Sequence, residues 1–256
     1  MQHQVETRER ASLRNVAAVA AAFLAVGALA TDIENGHFRG ASGLPGSLFP
    51  IGVDGTIDFS GASAVSAPIA YTPGGGTRSI AFAGLSSDSR FRLPFRSELS
   101  GSSEDTVNGH LWSLVGFDLA SSRLAVSLAL TEISLPDVYS MQYLVPTSIA
   151  NTQFAIGVQD AFALAGANPR QENRSFYAAA TRRFGFAHAT LGIGTHRFEK
   201  GFLALSGPLG GYCNGVVEYD GLGWNVAVSV EIGSNSVLQI GYVDFDRAYL
   251  AAGMKF

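Results

Sequence analysis

The sequence predicts an all-β fold, an antiparallel transmembrane β-barrel of about 10–12 strands. Three observations carry this prediction. The chain ends on an alternating segment whose last residue is Phe256, and it begins with a pattern typical of an export signal. Between these ends the chain is 47% hydrophobic and only 15% charged, whereas soluble domains usually carry about 25% charged residues. A closed barrel suits this composition, because its apolar face turns outward and its backbone groups pair between strands.

The C-terminal segment is the clearest strand. Apolar side chains occupy alternate positions from Ala248 to Phe256, and Arg247 and Lys255 lie on the opposite face. A period of two is what a strand needs when lipid lies on one side and a polar lumen on the other. A final aromatic residue in this register resembles the assembly signal of outer-membrane barrels. We therefore expect Phe256 to be that signal, with outer-membrane lipid and the barrel-assembly machinery as partners.

The N-terminus reads as a secretory signal peptide over residues 1–30. Arg8, Arg10 and Arg14 precede an uncharged run over 16–30 that closes on Ala28-Leu29-Ala30. A basic start, an apolar centre and an A-x-A site predict export with cleavage after Ala30. The run is shorter than the ~20 residues of a membrane-spanning helix. The expected organisation is a lead-in segment over 31–50 and a barrel over 51–256, in the outer membrane of a Gram-negative bacterium.

Charge and cysteine content exclude several classes of protein. Without residues 1–30 the chain keeps 14 of its 17 Lys and Arg and 19 of its 21 Asp and Glu, a formal charge of −5. Nucleic acid is therefore not an expected partner, since phosphate binding needs clustered basic residues. The single cysteine, Cys213, cannot form an internal disulfide and is expected to be a small lipid-facing or core residue. No metal or haem spacing occurs, so we expect no cofactor.

Strand-like segments recur along the chain with turn residues between them. The stronger ones span 110–119, 123–133, 152–160, 174–184, 187–198, 212–219, 223–232, 236–245 and the terminal segment. Weaker candidates lie at 52–59, 66–72 and 76–85, which brings the total to about twelve, with about ten as the alternative. Long connections are expected at 86–109, 134–151, 161–173 and 199–211.

Three tight turns agree on one apolar and one polar face. A turn at Asp220-Gly221 would pair Tyr219 with Leu222, since both turn positions tolerate positive φ. Turns at Gly185-Phe186 and Ser121-Ser122 likewise gather apolar side chains on one face. A soluble sandwich would show the same alternation with the apolar face inward. In a barrel, the polar residues expected in the lumen are Arg183, His188, His196, Glu218, Asn225, Glu231, Arg247 and Lys255.

The second half contains a series of short phrases in a recognisable order. They are Phe154–Asp160, Ser175–Gly185, Thr190–Thr195, Val217–Gly221 and Gly223–Ala227. Over residues 151–256 this order resembles the YjbH-like family of outer-membrane β-barrels, which is associated with exopolysaccharide export. Members are often longer, with a second barrel-like half. The resemblance implies a location and an architecture, with polysaccharide or periplasmic export proteins as partners. The family has no agreed catalytic constellation, so no catalytic residue carries over.

Two kinds of chemistry remain as alternatives. A lipid-modifying enzyme would use Ser206 or Ser229 as nucleophile and His188 or His196 as base. No Gly-x-Ser-x-Gly elbow occurs around any serine. A glycosidase would use Glu218 and Glu231 as paired carboxylic acids. Lumen side chains paired in salt bridges, with Arg183 and Lys255 as countercharges, are the simpler interpretation. The acidic stretch at 54–58 lacks the further ligands of a calcium loop and reads as a turn.

The expected function is therefore that of a non-enzymatic outer-membrane barrel, an accessory or conduit in exopolysaccharide export. The alternatives are a structural or adhesive barrel acting through its loops, and the lipid-modifying enzyme. Both termini of such barrels lie in the periplasm. Counting strands back from Phe256 then puts 86–109 and 134–151 outside the cell and 161–173 and 199–211 in the periplasm. Residues 169–172 and 200–211 are the expected places for a partner contact or a lumen plug.

Overall fold

The computed structural model describes residues 43–87, 90–91, 109–130, 138–162, 174–245 and 247–256. Within these residues the chain is all-β and forms a closed antiparallel barrel of 12 strands, which confirms the predicted fold class. The signal peptide, its cleavage after Ala30 and residues 31–42 of the lead-in lie outside the described residues. Along the described chain, no helix has the length and apolar character needed to cross a membrane.

The strands follow one another along the chain with a single short addition. They are β1 (Arg78–Ser87), β2 (Arg90–Phe91), β3 (Gly109–Leu119), β4 (Ser122–Leu130), β5 (Val138–Val145), β6 (Thr152–Gln159), β7 (Ser175–Phe184), β8 (Ala187–Gly194), β9 (Phe202–Gly210), β10 (Cys213–Tyr219), β11 (Trp224–Ile232), β12 (Ser236–Val243) and β13 (Arg247–Lys255). Each strand from β3 to β12 pairs with the next one along the chain, and β1 pairs with both β3 and β13. The last pairing sets Ser79 opposite Lys255 and Leu85 opposite Tyr249. It closes the sheet and removes both free edges.

The strand total agrees with the predicted twelve, but two of the predicted strands were wrong. The segments at 52–59 and 66–72 are not part of the wall, and the wall begins at Arg78. Two strands were missed inside predicted connections, β5 within 134–151 and β9 within 199–211. β9 escaped recognition because Gly207 and Pro208 interrupt its pattern. Pro208 pairs with Asn214 beside a register shift in the β9–β10 ladder, and such an irregularity tolerates a residue that cannot donate a ladder hydrogen bond.

The predicted hairpin faces hold even where the predicted register does not. The Gly185-Phe186 turn pairs Phe184 with Ala187, as expected. At the other two turns the pairing shifts: Tyr219 pairs with Trp224, and Leu119 pairs with Ser122. Both shifts leave the same side chains on the same face, because a strand repeats every two residues.

The barrel turns its apolar face outward. On β8 the side chains of Leu191 and Ile193 are 66% and 62% exposed, while His188 and Thr190 between them and the turn are buried. This order is the reverse of a soluble sandwich, which packs its apolar faces together. The inward-facing buried polar residues include Ser127, Gln142, Gln159, Thr181, Ser206, Asn214, Ser229 and Gln239.

The two ends of the barrel differ in their connections. Short turns at 120–121, 146–151, 185–186, 211–212 and 233–235 lie at the end that carries the C-terminus, here called the turn end. The opposite loop end carries the longer connections, including 88–108, 131–137 and 160–174. The prediction that 161–173 and the C-terminus share one end was wrong. The missed strand β9 reverses the count for the connections between β5 and β9, and the missed strand β5 restores it for 86–109, which connects β1 and β3 at the end opposite the C-terminus as expected.

The interior of the barrel is filled by the chain itself. Residues 43–74, here called the plug, run through the lumen before the chain enters β1, and most of them are fully buried. The plug forms isolated bridges with itself, in which Ile51 faces both Ile57 and Ala62. Its apolar side chains pack against inward aromatic residues of the wall, among them Trp112, whose ring lies 5.8 Å from that of Phe49. The plug therefore supplies much of the apolar core.

The exit of the plug depends on a small residue in the wall. A Cβ atom on Gly116 of β3 would overlap the carbonyl oxygen of Gly74, so a larger residue must push residues 73–74 away from the wall. We expect Gly116→Val to reduce the free energy of unfolding by about 1–3 kcal/mol, as over-packing usually does. Urea titration of the folded band on a semi-native gel measures this loss. Gly210→Val is the matched control, because its Cβ would meet nothing within 4 Å; an equal loss in both variants would contradict the expectation.

Candidate functional site: the plugged lumen

The strongest contact between plug and wall is made by Glu218 on β10. Its carboxylate is fully buried and accepts hydrogen bonds from the backbone N–H groups of Val65 at 2.9 Å, Ser66 at 2.7 Å and Ala67 at 3.2 Å. Three successive N–H groups thus converge on one carboxylate, as they do in backbone nests. Because three backbone donors share one side chain, Glu218 fixes the position of this part of the plug.

Glu218 belongs to a larger group, here called the anchor cluster: Ser66, Arg197, Glu218, Asp220 and Asn225. The Asn225 amide donates to Glu218 at 2.9 Å and to Asp220 at 3.1 Å, and the Ser66 hydroxyl also contacts both carboxylates. The Arg197 guanidinium lies 3.4 Å from Asp220 and donates to the Ser66 carbonyl oxygen. A buried charge is tolerated only when it is paired or hydrogen-bonded, and the cluster meets this condition by binding plug and wall together.

Three members of the anchor cluster, Ser66, Asp220 and Arg197, escaped the sequence analysis, which placed Ser66 only at the start of a predicted strand. Asp220 was assigned to a turn, and its Oδ1 does accept from the N–H groups of Leu222 and Gly223, while Oδ2 faces the cluster. Arg197 lies in a 3-10 helix, His196–Phe198, which follows β8. The strand predicted over 187–198 extends beyond the end of β8 at Gly194, and for this reason His196 was wrongly expected in the lumen. His196 is in fact exposed, whereas Arg197 and Phe198 are buried.

The rest of the wall binds the plug through amide and hydroxyl groups. Asn214 donates to the carbonyl oxygens of Phe59 and Gly61, each at 2.9 Å. Ser206 accepts from the N–H of Ser63 at 3.0 Å, and Thr181 accepts from the N–H of Ala70 at 2.8 Å. Gln239 donates to Ala64 and Gln142 donates to Thr72. Because these groups bind mainly backbone atoms, they hold an irregular segment in one course through the lumen.

Apolar contacts near the loop end complete the site. Leu44 of the plug belongs to one buried cluster with Tyr177, Phe198 and Phe202 of the barrel. The rings of Phe198 and Phe202 meet edge to face at 5.2 Å, an arrangement that adds to the stabilisation from burial alone. Gly192 lies beside Phe202, whose ring occupies the space that a side chain on Gly192 would need.

The remaining predicted lumen residues lie near the two rims of the barrel. Arg183 is exposed at the turn end, where its Nε donates to the Gly185 carbonyl oxygen. Lys255 and Glu231 form an ion pair at 2.6 Å, with side chains 23% and 17% exposed. Arg247 is partly exposed at the loop end. Phe256 is 68% exposed at the turn end.

The structure brings together one of the pairs considered for a lipid-modifying enzyme. His188 and Ser206 lie directly opposite each other on β8 and β9, and both are buried. The Ser206 hydroxyl is engaged by the plug, and the ring of Tyr71 packs against the imidazole at 5.4 Å. Nδ1 of His188 has no hydrogen-bond partner among the described residues. Within that part of the chain the pair lacks the third group that would orient the base.

Three acidic residues outside the anchor cluster, Asp54, Asp58 and Glu231, are engaged in turns or in an ion pair. Glu231 forms its ion pair with Lys255 and is not paired with Glu218, as the glycosidase hypothesis would require. Asp54 accepts from the backbone N–H and the hydroxyl of Thr56, and the backbone hydrogen bond lowers the pKa of Asp54 from its ordinary value. Asp58 binds Ser60 in the same way, as a turn would have it. Among the described residues no three His, Cys, Asp or Glu side chains are placed to hold a metal ion.

No protein-family model matches the chain, and no curated protein matches it either. The geometry is therefore the basis for a functional assignment.

The anchor can be tested by removing its carboxylate. Glu218→Ala deprives the N–H groups of residues 65–67 of their acceptor, and a buried donor without a partner costs about 1–3 kcal/mol. We expect hydrogen exchange of these amides to become at least ~100-fold faster while exchange in the wall strands stays slow. Glu231→Ala is the control, since its carboxylate pairs with Lys255 and not with the plug. Unchanged exchange at 65–67 in Glu218→Ala would contradict the anchoring role.

Proposed function

We propose that this protein is an outer-membrane β-barrel that serves exopolysaccharide export as an accessory component. The observation that supports the membrane location best is the outward face of the barrel. Its middle is mainly aliphatic, with Ile156, Leu191, Leu205 and Ile240 at least half exposed. A soluble protein rarely exposes so continuous an apolar surface, whereas a barrel in a bilayer requires one.

Aromatic residues flank this aliphatic belt at both ends, as the interfacial girdles of membrane barrels do. At the loop end the outward or partly exposed aromatic residues are Tyr139, Phe176, Tyr219, Trp224 and Tyr242. At the turn end they are Phe117, Tyr143, Phe154, Phe184, Phe186, Tyr212 and Phe256. The clustering at two levels favours interfacial positions over ordinary strand propensity.

The connections suggest an orientation in the membrane. Outer-membrane barrels have short periplasmic turns and longer extracellular loops. The turn end carries the short turns and the C-terminus, and the loop end carries 88–108, 131–137 and 160–174. In the proposed orientation the turn end faces the periplasm. The anchor cluster then lies towards the cell surface.

The link to exopolysaccharide rests on the resemblance of residues 151–256 to the YjbH-like family. Because the plug fills the lumen, the described conformation favours an accessory role over a permanently open conduit. The structural or adhesive alternative is supported by a separate observation, that the two longest connections, 88–108 and 160–174, leave the wall at one end. Two deletions separate the alternatives. Loss of surface adhesion with normal polymer when 131–137 is deleted favours the adhesive barrel, whereas loss of polymer when the whole gene is deleted favours the export role.

Membrane location is tested directly by fractionation and heat-modifiability. We expect the full-length protein in the outer-membrane fraction, migrating faster on a gel when unboiled, and we expect the folded band to weaken when Phe256 is deleted. A periplasmic protein without a mobility shift would overturn the proposal, whatever the polymer phenotype.

A pair of arginine substitutions tests which outward surface meets lipid. Leu191 lies midway along β8, and an arginine near the bilayer centre costs about 2–4 kcal/mol in barrel stability. Leu191→Arg should therefore lower the urea midpoint of the folded protein in lipid vesicles. Ile149→Arg should leave it within experimental error, because Ile149 is similarly exposed (53% against 66%) but lies in the turn between β5 and β6. Equal midpoints for the two variants would argue against lipid around β8.

A further inference from the structure

The wall of the barrel is complete without the plug. Its strands pair with one another around the full circle, and β1 closes on β13. The plug-to-wall hydrogen bonds described above all use wall side chains, whereas the backbone bridges of the plug are internal. The closed ladder therefore does not depend on the presence of residues 43–74.

The wall also carries polar groups beyond those that bind the plug. The hydroxyls of Ser79 and Ser140, Nε1 of Trp112 and Nδ1 of His188 have no hydrogen-bond partner among the described residues. All four side chains belong to wall strands and are buried. They add polar groups to the inward face of the wall, as a path for hydrophilic solutes requires.

Three successive glycines, Gly74, Gly75 and Gly76, join the plug to Thr77 and β1. Gly74 is buried, and its N–H donates to the Gly55 carbonyl oxygen. Gly75 and Gly76 are exposed, and Gly76 has φ +88° with open space around its Cα. Successive glycines accept large changes of φ and ψ, which is what a hinge requires. The hinge lies at the turn end and the anchor cluster towards the loop end, so the strongest attachment of the plug lies away from the hinge.

We propose that residues 43–74 are a displaceable gate, with the glycine hinge at 74–76 as its pivot and Glu218 as its latch. Withdrawal of the gate opens a path lined by amide and hydroxyl groups, which suits hydrophilic solutes and ions. The width of the barrel agrees with this role. Its 12 strands place it between barrels of eight strands, which are filled by side chains, and those of 16–18 strands, which are open channels. This inference rests on the proposed membrane location.

Ion conductance across planar lipid bilayers tests the gate. The full-length wild-type protein should conduct rarely, and Glu218→Ala should raise the open probability about 100-fold, in line with the loss of the latch. Glu231→Ala should resemble the wild type. Heat-modifiability of each protein, measured first, separates failure to form the barrel from failure of the gate.

A reversible tether gives the decisive comparison. Ser63 Oγ lies 2.5 Å from Asn214 Oδ1, so Ser63→Cys with Asn214→Cys, in a Cys213→Ala background, brings two thiols together between the plug and β10. A mobility shift between oxidised and reduced protein on a denaturing gel must first show that the disulfide forms, and the reduced protein is the control for the lost Asn214 hydrogen bonds. Added to Glu218→Ala, the oxidised tether should silence the openings, and reduction should restore them. Openings that persist in the oxidised protein would overturn the gate. So would a full-length, heat-modifiable Glu218→Ala protein that conducts no more than Glu231→Ala.

Discussion

The filled lumen depends on one interaction, the binding of three successive backbone N–H groups of the plug by the Glu218 carboxylate. An irregular segment inside a barrel has no ladder to satisfy its backbone, so each buried N–H and C=O needs a side-chain partner. Glu218 satisfies three donors at once. Asn214 satisfies two acceptors farther along β10. One inward face of a single strand thereby fixes the course of the plug from Phe59 to Ala67.

This arrangement explains how a polar-lined barrel acquires an apolar core. The wall turns its own apolar residues outward, and only a few large ones, such as Trp112 and Tyr177, point in. Leu44, Phe49 and Ile69 of the plug bring the missing apolar volume into the lumen. Their burial offsets part of the cost of ordering the segment. Salt-bridged side chains were the simpler expectation for a filled lumen; Arg197 and Asp220 form such a pair in the interior, and Lys255 and Glu231 pair near the rim.

The sequence predicted the wall better than the contents. Alternation in β13 and in the hairpins around Gly185 and Asp220 predicted the barrel and its inward face, because a strand's period survives an error of two in register. The plug was read as strands at 52–59 and 66–72, since its apolar residues also alternate locally. Alternation records which side chains are buried, and a segment inside a lumen buries its side chains as a wall strand does. Nothing local distinguishes the two, because the distinction lies in the partners of the backbone. Wall residues pair with neighbouring strands, whereas residues 63–67 bind side chains of the barrel more than 130 positions away (131 for Ser66–Arg197, 153 for Val65–Glu218).

The same separation of partners divides the stability of the molecule into two parts. The wall is stabilised by backbone ladders that any sequence of suitable alternation can form, so most single substitutions on its outward face leave the ladders intact. The plug is stabilised by particular side chains, and a change at Glu218 or Asn214 removes several hydrogen bonds together. Local opening draws on the weakest cooperative unit of a protein. In this fold that unit is the segment in the lumen, which can leave its site at the cost of side-chain contacts alone, while the closed ladder around it persists.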